Sequence, residues 1–295
     1  MFGVGIVELA VLVLLVIGGV TLISRVSHST ADLPREVSRE WLLVLTVRVL
    51  ASVVGVAAAI ATYASGSYGR GPMLALSAFG GCVLLGTALG ETLVRPRRDP
   101  GVRSASLTPR RVRDYLPVTA VPVAGMAGAT FALLVFTTVT ADGGPGLERG
   151  LACATATMSS RHTPYPGSYY SLPLALALVA VLGVAAVAAR QVVARPRGMA
   201  PDSSDDDLLR RSSLDVVVAA TGCAVGAPLF GICLVAGGAL RSLSTARPSC
   251  APEWYGPVGG VLLVLSLVPF VLTLVCLARL ALPSRTTPRV RVHSA

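Results

Sequence analysis

The sequence contains no lysine and no asparagine, and all 25 of its basic residues are arginine. Both missing residues have adenine-rich codons, so a very GC-rich genome explains their absence. The lack of lysine nevertheless restricts the chemistry. A Walker A phosphate loop needs its lysine, and Schiff-base catalysis also needs one, so the sequence excludes both.

Charged residues are scarce as well. They make up 14% of the 295 residues, against about a quarter in soluble domains. Hydrophobic residues make up 53% of the chain, and the mean hydropathy is +0.72. Because the apolar residues are spread over the whole length, they predict a multi-span membrane protein rather than a soluble body with one anchor.

Seven apolar runs are long enough to cross a bilayer, which takes about 20 residues. They lie at about 2–24, 41–64, 72–93, 116–140, 171–193, 214–240 and 257–281. Each run should be helical, because every backbone amide in lipid needs a partner within its own segment. The predicted fold class is therefore all-α: a single polytopic transmembrane helical bundle with seven spans.

The arginines predict how the bundle is oriented. With the N-terminus outside, 18 arginines fall in the inner segments and 5 in the outer segments. The inner segments in that arrangement are 25–40, 94–115, 194–213 and 279–295. Since positively charged loops stay in the cytoplasm, the sequence predicts an external N-terminus, a cytoplasmic C-terminus and a bacterial plasma-membrane location.

The connection between the third and fourth spans is rich in arginine. Its candidate lipid-facing residues are Arg95, Arg97, Arg98, Arg110, Arg111 and Arg113. Each can interact with anionic lipid headgroups at the cytoplasmic face, contributing about 1 kcal/mol near the surface. The alternatives are charge that only sets topology, or a specific protein partner. Nucleic acid is not expected as a partner, because the loop has one aromatic residue, Tyr115, and no folded module around it.

A weak internal repeat is also present. The triplet that begins at Arg95 recurs at Arg195, and the pair that begins at Arg110 recurs at Arg210. This pattern is consistent with duplicated hairpins at 72–163 and 172–256, in parallel orientation. The alternative is that cytoplasmic loops are arginine-rich in any membrane protein.

The cysteines predict one disulfide and no metal site. Only Cys153 and Cys250 of the six cysteines lie outside the predicted spans, on the face where disulfides can form. We therefore expect a Cys153–Cys250 bond, and the alternative is two unpaired thiols. No Cys/His spacing typical of zinc is present, and no cofactor or catalytic site is predicted.

Charges inside membrane helices are functional candidates. Glu8 lies about two turns into the first predicted span, Arg48 lies in the second, and Glu91 lies near the end of the third. Arg48 can either extend toward the interface or meet Glu91. Glu8 is the strongest functional candidate of the three.

An acidic cluster at 202–207 precedes the sixth predicted span. It could hold Mg²⁺ if a second acidic motif existed, but the sequence has only one. We expect a solvated linker whose acids favour a helix N-terminus.

Small residues and prolines mark further features of the spans. Gly86–Gly90 and Gly222–Gly226 are GxxxG pairs that permit close helix contact. Pro228 and Pro269 lie in the middle of the sixth and seventh predicted spans, where a kink is expected.

The lysine-free composition, the short arginine-rich loops and the stretch VRSASLTPRRVRDYLP resemble uncharacterised multi-span membrane proteins of high-GC actinobacteria. The resemblance implies the layout and no activity. The residues favour a non-enzymatic scaffold, accessory or sensor component with an unidentified protein partner. A small-solute transporter is the alternative, supported by the repeat and the prolines. An intramembrane enzyme is the third class. It is not favoured, because the sequence shows no paired catalytic groups at one depth of the membrane.

Overall fold

A computed structural model of the chain describes residues 35–65, 67–93, 111–142, 149–195, 203–246 and 249–281. Within these ranges the helices are α1 Arg35–Ser65, α2 Arg70–Leu93, α3 Ala120–Thr140, α4 Ser168–Ala194, α5 Ser203–Thr245, α6 Tyr255–Leu265 and α7 Leu267–Ala281. Two antiparallel strands, β1 Leu151–Thr155 and β2 Met158–His162, form a hairpin between α3 and α4.

The described helices include six that are long and apolar enough to cross a membrane, with α6 and α7 counted together. They correspond to the second to seventh predicted spans and are compatible with an all-α membrane bundle. The first predicted span, 2–24, lies outside the described residues. The count of seven spans therefore stays a prediction, as does the orientation.

The structure differs from the predicted layout in two places. The sixth span was predicted at 214–240, whereas α5 has 43 residues and begins at Ser203, so the charged segment before residue 214 is helical. The connection between α3 and α4 contains the β1–β2 hairpin, which hydropathy did not predict. The end of the bundle that carries this hairpin is called the hairpin end. The opposite end is called the cluster end, after a cluster of buried charged side chains that is described in the next section.

Helix α5 is the centre of the bundle. In its apolar segment 78% of the residues are buried, compared with 22% in that of α1. It packs against α2, α3, α4, α6 and α7, whereas α1 packs mainly on α2. The α5 surface is made of small buried side chains such as Ala220, Cys223 and Ala224, and these let five helices approach it closely.

Glycines mark the closest contacts between helices. A methyl group at Gly80 on α2 would lie 2.6 Å from the Cβ atom of Ala224 on α5. The predicted GxxxG pairs also lie at helix contacts. Gly86 faces α1, and both Gly222 and Gly226 face α7.

The proline at position 228 does not break α5. Proline has no N–H, so the carbonyl four residues earlier, that of Ala224, loses its normal intrahelical donor. The Ser77 hydroxyl on α2 donates to that oxygen at 2.9 Å and replaces the missing bond. Hydroxyl groups on neighbouring helices are one of the means by which membrane helices tolerate proline. A kink was expected at Pro228, and α5 continues through this residue as one helix.

The proline at position 269 coincides with a local irregularity. The helical hydrogen-bond pattern is disturbed at Ser266, between α6 and α7, but the backbone there stays helical, with φ −58° and ψ −26°. Pro269 cannot donate to the carbonyl of Leu265. The hydroxyl of Ser266 donates to the carbonyl of Leu263 at 2.6 Å.

The pairing of Ser77 with the carbonyl of Ala224 gives a prediction with an internal control. Ser77→Ala should lower the free energy of unfolding by about 1 kcal/mol, because a buried carbonyl loses its donor. In a Pro228→Ala background the loss should be much smaller, since the N–H restored at position 228 can donate to the same oxygen. Unfolding in detergent would measure all four proteins of this cycle. Equal losses in both backgrounds would contradict the assignment.

Candidate functional site

Among the described residues, a group of buried ionic and polar side chains lies at the end of the bundle opposite the β1–β2 hairpin. Its members are Arg48 on α1, Glu91 on α2, Arg195 at the end of α4, and Asp206, Arg210 and Ser213 on α5. We call these six residues the charge cluster. They join four helices through side chains that are far apart in the sequence.

Glu91 is the centre of one half of the cluster. Its Oε1 atom accepts hydrogen bonds from Arg48 Nη2 at 3.0 Å and from Ser213 Oγ at 2.9 Å. Its Oε2 atom accepts from Arg195 Nη1 at 2.9 Å. Of the two arrangements predicted for Arg48, the structure shows the contact with Glu91.

Arg210 is the centre of the other half. It donates from Nε and Nη2 to Asp206 Oδ2, at 3.2 and 2.8 Å. It also donates to the carbonyls of Val193 and Arg195, at 2.9 and 2.8 Å. These carbonyls lie at the end of α4, where backbone oxygens have no intrahelical donor and a cation is favourable. One guanidinium therefore neutralises an acid and caps a helix.

Arg195 joins the two halves. Its Nη1 binds Glu91, and its Nη2 lies 3.7 Å from Asp206 Oδ1. The side chain is 1% exposed, so this contact is shielded from water. The result is one continuous network from α1 to α5.

Burial makes the cluster sensitive to any change of charge. The side chains of Glu91 and Arg210 are fully buried, and that of Arg48 is 10% exposed. Three guanidinium groups and two carboxylates give the cluster a net charge of +1 when all are ionised. Because removing one member of a buried pair leaves an uncompensated charge, the five ionisable groups depend on one another.

The structure corrects one expectation about this region. The acidic segment 202–207 was predicted to be a solvated linker, but the side chain of Asp206 is 1% exposed and paired. The sequence did contain a signal, since Asp206 and Arg210 have the i, i+4 spacing of helical ion pairs. Arg195 and Arg210 were read as charges that set topology, and their role in the cluster was missed.

Of the predicted lipid-facing residues, the two that the structure describes, Arg111 and Arg113, do not join the cluster. Arg113 is exposed and lies 3.7 Å from Asp114, and Arg111 is also exposed. Four members of the lipid-facing set, Arg95, Arg97, Arg98 and Arg110, lie outside the described residues, as does Glu8. Contact of this loop with lipid stays a prediction.

A second, separate ion pair lies near the cluster. Arg279 on α7 donates to Asp215 on α5 at 2.8 Å. Its arginine side chain is 41% exposed, so solvent screens it far more than the cluster. It serves below as a comparison for the buried pairs.

The hairpin end is closed by a covalent bond. The structure confirms the predicted disulfide between Cys153 on β1 and Cys250, with Cα atoms 5.6 Å apart. Beneath it the buried Tyr165 shares a 2.5 Å hydrogen bond with Thr140 on α3. Burial raises the pKa of the Tyr165 hydroxyl, so it stays neutral at physiological pH and serves as a structural group.

Aromatic side chains surround this closure. Trp254 contacts Phe136 and Tyr255 in edge-on geometry, and the Arg149 guanidinium lies 3.8 Å from the centre of the Tyr68 ring. Amphipathic rings concentrated at one end are typical of the headgroup layer of a membrane.

No group of three or more histidine, cysteine or acidic residues able to hold a metal ion is found in the described part of the chain. Cys223, Cys233 and Cys276 are buried as free thiols and Cys82 is partly buried, in keeping with small apolar residues of the core.

With six long apolar helices among the described residues, the chain is compatible with an all-α membrane bundle. A scan against protein-family models, a search of the curated proteins and a search of the solved structures each find nothing that matches it.

Glu91 provides the test of the cluster. Glu91→Gln leaves three guanidinium groups against one carboxylate, and we expect a loss of about 3–5 kcal/mol in the free energy of unfolding. Replacing Arg48 by methionine in the same protein should recover part of the loss, because it removes one of the uncompensated charges. Unfolding in detergent would measure both.

Asp215→Asn is the matched control, because it removes the acid of the more exposed pair with Arg279. Its cost should be about 1 kcal/mol or less. A cost for Glu91→Gln as small as that of the control would show that the cluster does not hold the helices together.

Proposed function

We propose that this protein is an integral component of a bacterial plasma membrane, with its N-terminus outside and its C-terminus in the cytoplasm. It has no catalytic site and acts as a scaffold, accessory or sensor component through contacts with a protein partner. The described bundle supplies the support for this proposal.

The observation that carries the proposal is the placement of charge. Within the six membrane-length segments of the described helices, every charged residue lies toward one or the other end of its segment. On α5, Asp215 and Arg241 are 26 residues apart, which is about 39 Å along a helix and close to the 40–45 Å thickness of a bilayer with its headgroups. The intervening layer holds no charged residue in the described helices. A proton-coupled carrier would normally need one there.

The packing of α5 also supports a contact role. Glycine and alanine contacts with α2 fill the middle of the bundle, and glycine contacts with α7 do the same on the other side. A solid core transmits force and position between the two ends. The bundle is then suited to present surfaces to another protein.

At the cytoplasmic face, the arginine-rich loop between α2 and α3 interacts with anionic lipid headgroups. Arg111 and Arg113 are exposed in keeping with that role. Each arginine near a membrane surface adds about 1 kcal/mol of attraction.

The orientation has a direct test. A reporter that is active only in the cytoplasm should work when it is fused after Arg103, because that loop is predicted to lie inside. It should fail when it is fused after Arg161 in β2, which is predicted to lie outside. Reporter activity and protein level would be measured for both fusions. Activity in the opposite pattern would reverse the proposed topology.

The contact role is tested by photo-cross-linking in living cells. A photoreactive amino acid would replace, one at a time, exposed residues on four helices: Leu50, Val135, Val179 and Val264. We expect one discrete product of higher mass from one face, most strongly at Val135, because small residues on α3 allow close approach of another helix. The fully buried Leu178 is the control position and should give no such product.

A bulky substitution two turns from Val135, on the same face of α3, should abolish the product. Gly128→Leu suits this purpose, because nothing lies within 4 Å of a Cβ atom at Gly128 and the fold should tolerate it. If all four positions reached only lipid, or only residues of the same chain, the proposed contact role would be wrong.

One observation favours the alternative of a small-solute transporter. Pro228 on α5 and Pro269 on α7 lie near each other, since the rings of Phe230 and Phe270 are 5.1 Å apart. Irregular helices facing each other can mark transport sites. Solute movement across vesicles that changed on Pro228→Ala would favour this function over the contact role.

A further inference from the structure

A shallow groove of about 580 Å³ runs along α6 at the hairpin end. Its lining includes Arg241 from α5 and Gly256, Gly260, Val264 and Leu265 from α6. The groove is apolar along its length and carries one cation. It lies on the opposite end of the bundle from the charge cluster.

Glycines on two faces of α6 create the groove. On one face α6 approaches α5 so closely that a methyl group at Gly259 would lie 2.9 Å from the carbonyl oxygen of Gly237. On the adjoining face, Gly256 and Gly260 have no side chains to fill the space. Val264, which is 69% exposed, forms part of the apolar wall.

The cation lies across the groove rather than beside it. A methyl group at Gly260 would lie 3.3 Å from Arg241 Nη1, so the guanidinium covers the surface of α6 at that point. Arg241 is exposed. None of the ion pairs among the described residues involves Arg241, whereas Arg279 at the other end is paired with Asp215.

The position of Arg241 along the bundle fits the headgroup layer at the hairpin end. Arg241 lies about 39 Å along α5 from Asp215, which places it at headgroup level when Asp215 lies at the opposite interface. Its guanidinium lies beside Gly260, and from Gly260 to Leu265 is five residues, or about 7.5 Å of helix that continues from that level into the hydrocarbon layer.

We propose that this groove binds an anionic glycerophospholipid from the leaflet at the hairpin end. The lipid phosphate accepts hydrogen bonds from the Arg241 guanidinium, which binds phosphate well because of its planar set of donors. One acyl chain extends from there toward the middle of the bilayer, against Val264 and Leu265. The site is separate from the arginine-rich loop and depends on neither the orientation nor the contact role proposed above.

Trp254 provides a built-in probe, because it lies directly before the groove helix and is 41% exposed. The chain has two tryptophans, so Trp41→Phe leaves Trp254 as the only one. This protein would be placed in zwitterionic phospholipid vesicles that contain a small fraction of brominated lipid, either anionic phosphatidylglycerol or zwitterionic phosphatidylcholine. Bromine quenches tryptophan that it can approach.

We expect brominated phosphatidylglycerol to be preferred near Trp254 by about fivefold, the ratio that corresponds to about 1 kcal/mol for one arginine near a membrane surface. Arg241→Gln should abolish the preference. Arg211→Gln is the matched control, because it removes the same charge from an exposed position on the same helix at the other end, and it should retain the preference.

The groove as a whole is tested by Gly260→Leu, which should lower quenching by both lipids because the side chain fills the groove and displaces the Arg241 guanidinium. Gly183→Leu is its control, since a Cβ atom at Gly183 meets nothing within 4 Å. Melting temperatures of the variants would establish that each is folded.

Equal quenching by the two brominated lipids would overturn the proposal, and so would a preference that survives Arg241→Gln. Efficient disulfide cross-linking of two chains through Val264→Cys in the same vesicles would also overturn it, because a second copy would then occupy the groove.

Discussion

The carboxylate of Glu91 binds two guanidinium groups and a hydroxyl, and the arrangement of the cluster end depends on this contact. Arg48 comes from α1, Arg195 from the end of α4 and Ser213 from α5. A buried carboxylate in such surroundings is tolerated only when its charge and both of its oxygens are satisfied. Helix α1 has few buried residues of its own, so the reach of Arg48 to Glu91 fixes its position beyond what apolar packing on α2 provides.

The same requirement governs the backbone at the middle of the bundle. Pro228 removes a hydrogen bond from the most buried helix, and Ser77 supplies the replacement from α2. The close contact at Gly80, one turn further along α2, brings the hydroxyl within reach. Proline, serine and glycine therefore act as one unit: the first creates an acceptor, the second satisfies it, and the third allows the two helices to approach.

The sequence predicted the features that depend on composition and elimination. Hydropathy located six helices, and the disulfide followed because only Cys153 and Cys250 lie outside the spans. It did not predict contacts that depend on how helices are rotated and stacked. The local sequence around Asp206 is compatible with a side chain that faces water and with one that is buried against Arg210. The side chain is buried because the end of α4 lies against α5. The β1–β2 hairpin was missed because its short, mixed strands have no marked apolar alternation.

The absence of lysine has a structural counterpart in the charge cluster. Arg210 donates two hydrogen bonds to Asp206 and two to carbonyls at the end of α4, and it does so from three nitrogens in one plane. An ammonium group has three donors at a single point and could not reach these acceptors together. Arg195 likewise bridges Glu91 and Asp206 through two different nitrogens. The fork geometry of arginine explains how so few residues can tie four helices together at one end.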